Sequence, residues 1–133
     1  MFNQLYTFLN ENSLLSKYQS GFQPKNSTLS ALVQVCNAWH ASMDCGDVSA
    51  VVFLDIRKAF DSINHNILLR KMEEQFGVSN VELKWFASYI SNREQTCFVN
   101  GTMSTSKKIV CGVPQGFILG PLLFLLYINA SLK

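Results

Sequence analysis

VVFLDIRKAFD, residues 51–61, decides how the chain is read. Together with Val48, Ser49 and Ala50 it makes VSAVVFLDI (48–56), β-branched and apolar almost throughout up to one acid, which is the profile of a strand covered on both faces. Asp55 stands at its far end and Asp61 follows six positions later. A carboxylate delivered to a strand end can hold Mg²⁺, a hard cation that prefers oxygen ligands and fills the rest of its shell with water and substrate phosphates. One acid alone makes a weak site. Asp55 can equally cap the element that follows, and spacing alone leaves both roles open. Asp61, beside Ser62 and Asn64, reads first as a turn or helix cap, and Lys58 as a solvated charge. No G-x-x-x-x-G-K-[ST] loop accompanies the strand, so a P-loop ATPase has no phosphate cradle here.

Downstream, Asn64 or Asn66 can cap a helix carrying Ile67, Leu68, Met72 and Phe76 and closed by Gly77. Ser79 with Glu82 three residues on predicts a capping box for the next helix, which buries Leu83, Phe86 and Ile90. Gln95–Val99 and Ser106–Cys111 read as two strands around the turn pair Asn100-Gly101, with TMST (102–105) lengthening the connection beyond two residues. Gly112-Val113-Pro114-Gln115-Gly116 is the last loop. There Pro114 stiffens the turn, Gln115 offers an amide donor and acceptor, and Gly116 lets a backbone or nucleotide come close. Phe117 to Ile128, FILGPLLFLLYI, is a twelve-residue run without a charge, while a bilayer span needs roughly 20 residues, so a buried helix is expected and a membrane anchor is not. A helix apolar on every side needs covering, and the chain ends five residues later, so a missing C-terminal portion is expected.

Upstream, Phe2, Leu5, Phe8 and Leu9 predict an opening helix. Residues 18–27 form a loop broken by Gly21, Pro24 and Asn26. Ser27 or Thr28 caps a helix with Leu29, Leu32, Val33, Cys36 and Trp39 on one face, running to about Cys45 and ending at Gly46. The alternation of helices and strands, without repeats or linkers, predicts a single mixed α/β unit over 1–133.

Composition sets the outer bounds. Apolar residues make up 48% of the chain and charged ones 15%, enough to build a core and too few charges for a disordered tail. A formal charge of +2 names no nucleic-acid or membrane partner. Cys36, Cys45, Cys97 and Cys111 include no C-x-x-C pair, which argues against a zinc knuckle and for a reduced, intracellular setting, nuclear or cytoplasmic. Met1–Asn12 has no secretory pattern, so secretion is not expected. His40 and His65 sit near no nucleophile in sequence, both read as structural, and no Ser-His-Asp or Cys-His set can be assembled.

Four stretches together resemble the reverse transcriptases of non-LTR, LINE-like retrotransposons: QSGFQPKNST (19–28), VVFLDIRKAFDSINHNIL (51–68), WFASYISNREQTCFVNG (85–101) and CGVPQGFILGPLLFLLYIN (111–129). They occur in that family's order and spacing. The resemblance implies an α+β fold, a partial fingers–palm of a right-hand polymerase with helices packed on a small, mostly antiparallel sheet. It implies template-directed addition of dNTPs to a DNA primer on an RNA template, with Mg²⁺ or Mn²⁺. Asp55 matches the first metal-binding aspartate, and the carbonyl of Ile56 lies beside the same metal. Phe60 matches the aromatic steric gate against a ribose 2′-hydroxyl, and Gln115 with Gly116 the loop beside the incoming nucleotide. Gln23 and Lys25 fall in the region that touches template.

The chain departs from the family pattern at three places. Gln23 stands where Arg is common, with Lys25 as a partial substitute; Ala130 follows Ile128-Asn129 where Asp is common; and no Tyr-x-Asp-Asp box is present. A fragment ending before that box, without useful polymerase activity by itself, is therefore expected. The alternative is a noncatalytic remnant of the same fold that binds RNA or protein, with self-association through its exposed apolar surface.

Overall fold

A computed structural model describes residues 1–114 and 116–129. Helix α1 covers Phe2–Glu11 and buries Leu5 and Leu9, as its apolar spacing requires. The turns that follow lead to Ser27, whose hydroxyl accepts from Ser30 N while the Ser30 side chain accepts from the Ser27 amide, a reciprocal cap that starts α2 (Thr28–Asp44). Asn64 caps α3 (His65–Phe76) through Ile67 N at 3.1 Å, and α3 buries Leu68, Met72 and Phe76. Helix α4 (Asn80–Ile90) buries Phe86 and Ile90. The expected Ser79–Glu82 capping box is not formed: Asn80 takes a left-handed φ of 52°, and its amide donates instead to the Ser79 hydroxyl at 3.2 Å.

Strands β1 (Arg93–Gln95) and β4 (Lys107–Ile109) pair antiparallel, Glu94 facing Lys108. Inside them β2 (Phe98–Val99) pairs with β3 (Thr102–Met103) across Asn100-Gly101. The connection is thus a two-residue turn, tighter than the TMST stretch suggested. Asn100 and Gly101 both adopt positive φ, 48° and 78°, the twist that suits a hairpin, and Thr102-Met103 joins the ladder. Ser104 N donates to Cys97 O at 2.8 Å, bridging the gap between the two strand pairs.

Helix α5 (Leu119–Ile128) is the centre of the core, with Leu119, Gly120 and Leu122 to Leu126 buried. Its cover comes from upstream, from α3 and α1, while α4 packs on α3. Asn129, 4% exposed, ties this end to the segment after α1: its Oδ1 accepts from Ser16 N at 2.7 Å and its Nδ2 donates to Leu14 O at 3.0 Å. Each large apolar side chain buried here contributes about 1.5–3 kcal/mol. The fold is α+β, helices with small antiparallel pairs, a partial fingers–palm arrangement.

Two further expectations fail. Residues 48–56 form no strand, and Val52, Phe53 and Leu54 are 81, 84 and 89% exposed. A strand exists only through ladder bonds to a neighbour, and no strand among the described residues lies beside this segment. Likewise α2 forms where its periodicity places it, yet buries nothing: Leu29, Leu32 and Val33 are exposed and Cys36 and Trp39 half-buried. No described helix is long and apolar enough to cross a membrane.

Candidate functional site

Phe60 is the residue on which the site converges. It rides on a turn in which the amides of Asp61 and Ser62 both donate to Lys58 O at 2.9 Å and the Ser62 hydroxyl donates to Ala59 O at 3.1 Å. Its half-buried ring lies 4.9 Å from that of Phe124 on α5 and 5.8 Å, edge on, from that of Phe22. Three distant parts of the chain, around 22, 60 and 124, therefore meet in one aromatic cluster. Pairs of this kind contribute about 0.5–1.5 kcal/mol beyond burial.

The loop leading into α5 is tied to the loop leading into α3. Gly112 N donates to Ile63 O at 2.7 Å and Val113 N to Phe60 O at 2.9 Å. The His65 ring Nε2 donates to Gly112 O at 2.6 Å. Gly112 has φ +86°, and a Cβ there would lie 2.9 Å from Asp61 Cα, so only glycine lets the loops approach this closely. Ile63 and Val113 are buried at the junction. Beside it opens a cleft of about 490 Å³ bordered by Asp61, Gln95, Lys108, Cys111 and Pro114.

The remaining expected residues sort as follows. Gly116 is exposed, with φ +83° and open space around it, on the turn before α5; Gln115 lies outside the described residues. Asp55 and Ile56 sit on the exposed, irregular segment before the Phe60 turn. Among the described residues no three His, Cys, Asp or Glu gather in a way that could hold a metal. One carboxylate and one carbonyl do not fit a two-ion cage. Lys25 is exposed with φ 66° and Gln23 half-buried, its carbonyl accepting from Asn26 N at 3.3 Å. The 19–28 region reaches the cluster through Phe22, which sequence reasoning passed over, as it did Gly112. His65, read as structural, lies at the heart of the junction; His40 is exposed on α2.

Comparison with known proteins identifies the family of the chain. The profile of the family described as reverse transcriptase (RNA-dependent DNA polymerase) matches residues 1–133. The RNA-directed DNA polymerase from mobile element jockey of Drosophila melanogaster is 33% identical over 122 residues, 92% of this chain and 13% of that protein. The probable RNA-directed DNA polymerase from transposon X-element of the same species is 29% identical over 93% of the chain, again 13% of its own length. A retrovirus-related Pol polyprotein from type-1 retrotransposable element R2 of Popillia japonica is 38% identical over 79 residues, 59% of the chain. The chain thus spans about 13% of the length of these curated relatives.

Proposed function

The chain belongs to the reverse transcriptase (RNA-dependent DNA polymerase) family, and from that premise we propose that it supplies the nucleotide-facing part of a retrotransposon polymerase that extends a DNA primer on an RNA template. The observation that carries this reading is the convergence of Phe22, Phe60 and Phe124 above the tie between Val113 and Phe60. A rigid ring on a pinned turn is what a steric filter for the sugar requires, because a filter that gives way discriminates little. In this role the Phe60 ring takes the space of a ribose 2′-hydroxyl. Gln115 and Gly116 lie along the incoming dNTP, and Gln23 and Lys25 touch the template. The family generally depends on a divalent metal. Asp55 and the Ile56 carbonyl are the ligands this chain contributes toward Mg²⁺ or Mn²⁺, within a set completed by other carboxylates.

The test is amide-shift titration of the purified chain on a primed RNA template with dTTP and, separately, UTP. Shifts at Phe60 and Gly116 with dTTP and weaker ones with UTP are expected; silence at both residues refutes the nucleotide role. A parallel Mn²⁺ or Mg²⁺ titration should move Asp55 and Ile56 at millimolar metal. Primer extension by this chain alone should be absent, since a two-ion site needs more carboxylates than Asp55, and losing transition-state charge stabilisation costs about 10²–10³ in rate or more. Asp55-dependent extension would overturn that expectation. The exposed apolar residues of 48–56 and α2 favour a second property of the same chain, self-association through this surface.

A further inference from the structure

We infer that His65 is a positioning residue: its ring clasps the loop that enters α5 onto the Phe60 turn and thereby sets the spacing between Phe60 and the Gly116 turn. Among the hydrogen bonds that cross between residues 60–65 and 112–113, three stand out. Two are backbone to backbone, Gly112 N to Ile63 O and Val113 N to Phe60 O, and would be available to almost any sequence that can adopt the path. The third, His65 Nε2 to Gly112 O at 2.6 Å, spans 47 residues and depends on one side chain. Gly112 is therefore held at both its amide and its carbonyl, in a place where its missing Cβ lets the Asp61 backbone come within van der Waals range.

The ring is aimed by its own helix. Asn64 caps Ile67 N and fixes where α3 begins, so His65, the first residue of α3, projects from a defined position at the helix entrance. It is half-buried, between a buried Ile63 on one side and a buried Leu68 a turn later. A carbonyl can only accept, so Nε2 must carry the proton, and the neutral ring is the Nε2–H tautomer. Without this bond the loop loses the side-chain tie that holds the Gly112 carbonyl. A loop that swings outward takes Val113 N away from Phe60 O and changes how the Phe60 ring meets Phe124. What this spacing serves rests on the nucleotide role proposed above; the clasp itself does not.

The experiment is amide hydrogen exchange on the full chain, as wild type, His65→Ala and His65→Gln, together with the ¹⁵N shifts of the His65 ring in the wild type. The Gln amide nitrogen reaches about as far as Nε2 and restores a donor. Losing one net hydrogen bond predicts exchange at Gly112 and Val113 about five- to tenfold faster in His65→Ala. Met72 in α3 should keep the wild-type rate, and His65→Gln should return Gly112 and Val113 toward theirs. Unchanged exchange at Gly112 and Val113, equal acceleration at Met72, failure of His65→Gln to recover, or a wild-type ring protonated at Nδ1 with Nε2 bare would each overturn the proposal. Binding of dTTP to the chain on primed template, measured in the same three proteins, separates the two ideas. Weaker binding in His65→Ala with recovery in His65→Gln supports the positioning role. No binding by the wild type instead sinks the nucleotide reading, and exchange still decides the clasp.

Discussion

Gly112→Ala should destabilise the chain by about 2–5 kcal/mol, in two parts that a control can separate. The first is conformational: at φ +86° an L residue bears a left-handed backbone that costs roughly 1–2 kcal/mol. The second is contact. The new methyl would meet Asp61 Cα at 2.9 Å, Asp61 O at 3.0 Å and Asp61 C at 3.1 Å, all backbone atoms without a rotamer to escape into. Non-bonded carbon contacts settle at about 3.5–4.0 Å, so the loops must separate by roughly half an ångström to one ångström. That movement stretches the bonds from Gly112 N to Ile63 O, Val113 N to Phe60 O and His65 to Gly112 O, each worth about 0.5–1.5 kcal/mol net. Gly101→Ala is the control, because Gly101 has φ +78° and nothing within 4 Å, so it bears the first cost and not the second. In urea unfolding with a slope near 1–2 kcal/mol per molar, Gly112→Ala should lower the midpoint further than Gly101→Ala by about 1 M. Equal midpoints for the two variants would refute the close approach of the loops.

Three other perturbations test separate parts of the structure. Met72→Ala, at a fully buried position, should cost about 2–5 kcal/mol in urea unfolding, whereas a loss under about 0.5 kcal/mol would show that α3 is not packed as described. Asn129→Ala should cost about 1–3 kcal/mol by removing the partner of Ser16 N and Leu14 O. Asn129→Asp should be worse than alanine near neutral pH, where a carboxylate faces the Leu14 carbonyl. That environment raises the folded carboxyl's pKa above its unfolded value, so the penalty is present at high pH and relieved as pH falls through the raised value; a midpoint independent of pH would count against it. Phe53→Lys, at an 84% exposed side chain, should leave the unfolding midpoint within about 0.5 kcal/mol while reducing self-association in sedimentation, and loss of cooperative unfolding would contradict the exposed placement.

Local chemistry made much of the fold legible. Ser27, Asn64 and Gly77 mark helix ends by mechanisms contained within a few residues, and the charge-free run 117–128 forms a buried helix from Leu119 on, while Phe117 and Ile118 before it are exposed. The failures share a cause, which is that the deciding partner is not local. Residues 48–56 have the composition of a buried strand, but a ladder needs a neighbour, and no described strand lies alongside. The apolar face of α2 is real in sequence and uncovered in space for the same reason. At Ser79 the competing donor was adjacent, yet the left-handed φ of Asn80 that brings it into reach is not signalled by spacing. The site divides the same way. Phe60 and the 112–116 loop were legible through the four matching stretches, whereas the contact from His65 to Gly112 spans 47 positions and leaves no periodic trace.

The tie between Asn129 and residues 14–16 has a consequence for how the chain is made. Its two ends are 113 and 115 positions apart, so the segment after α1 cannot reach its final partner until more than a hundred further residues have been synthesised. At about 5–20 residues per second, that is a wait of roughly 6–23 s after Ser16 is made, during which α1 has lost neither its apolar face nor its exposure to water. Helix α5, which covers Leu5 and Leu9, arrives at the same late moment. The core therefore closes only after α5 and Asn129 have been made, with α1 available until then to chaperones or to premature contact with another nascent chain.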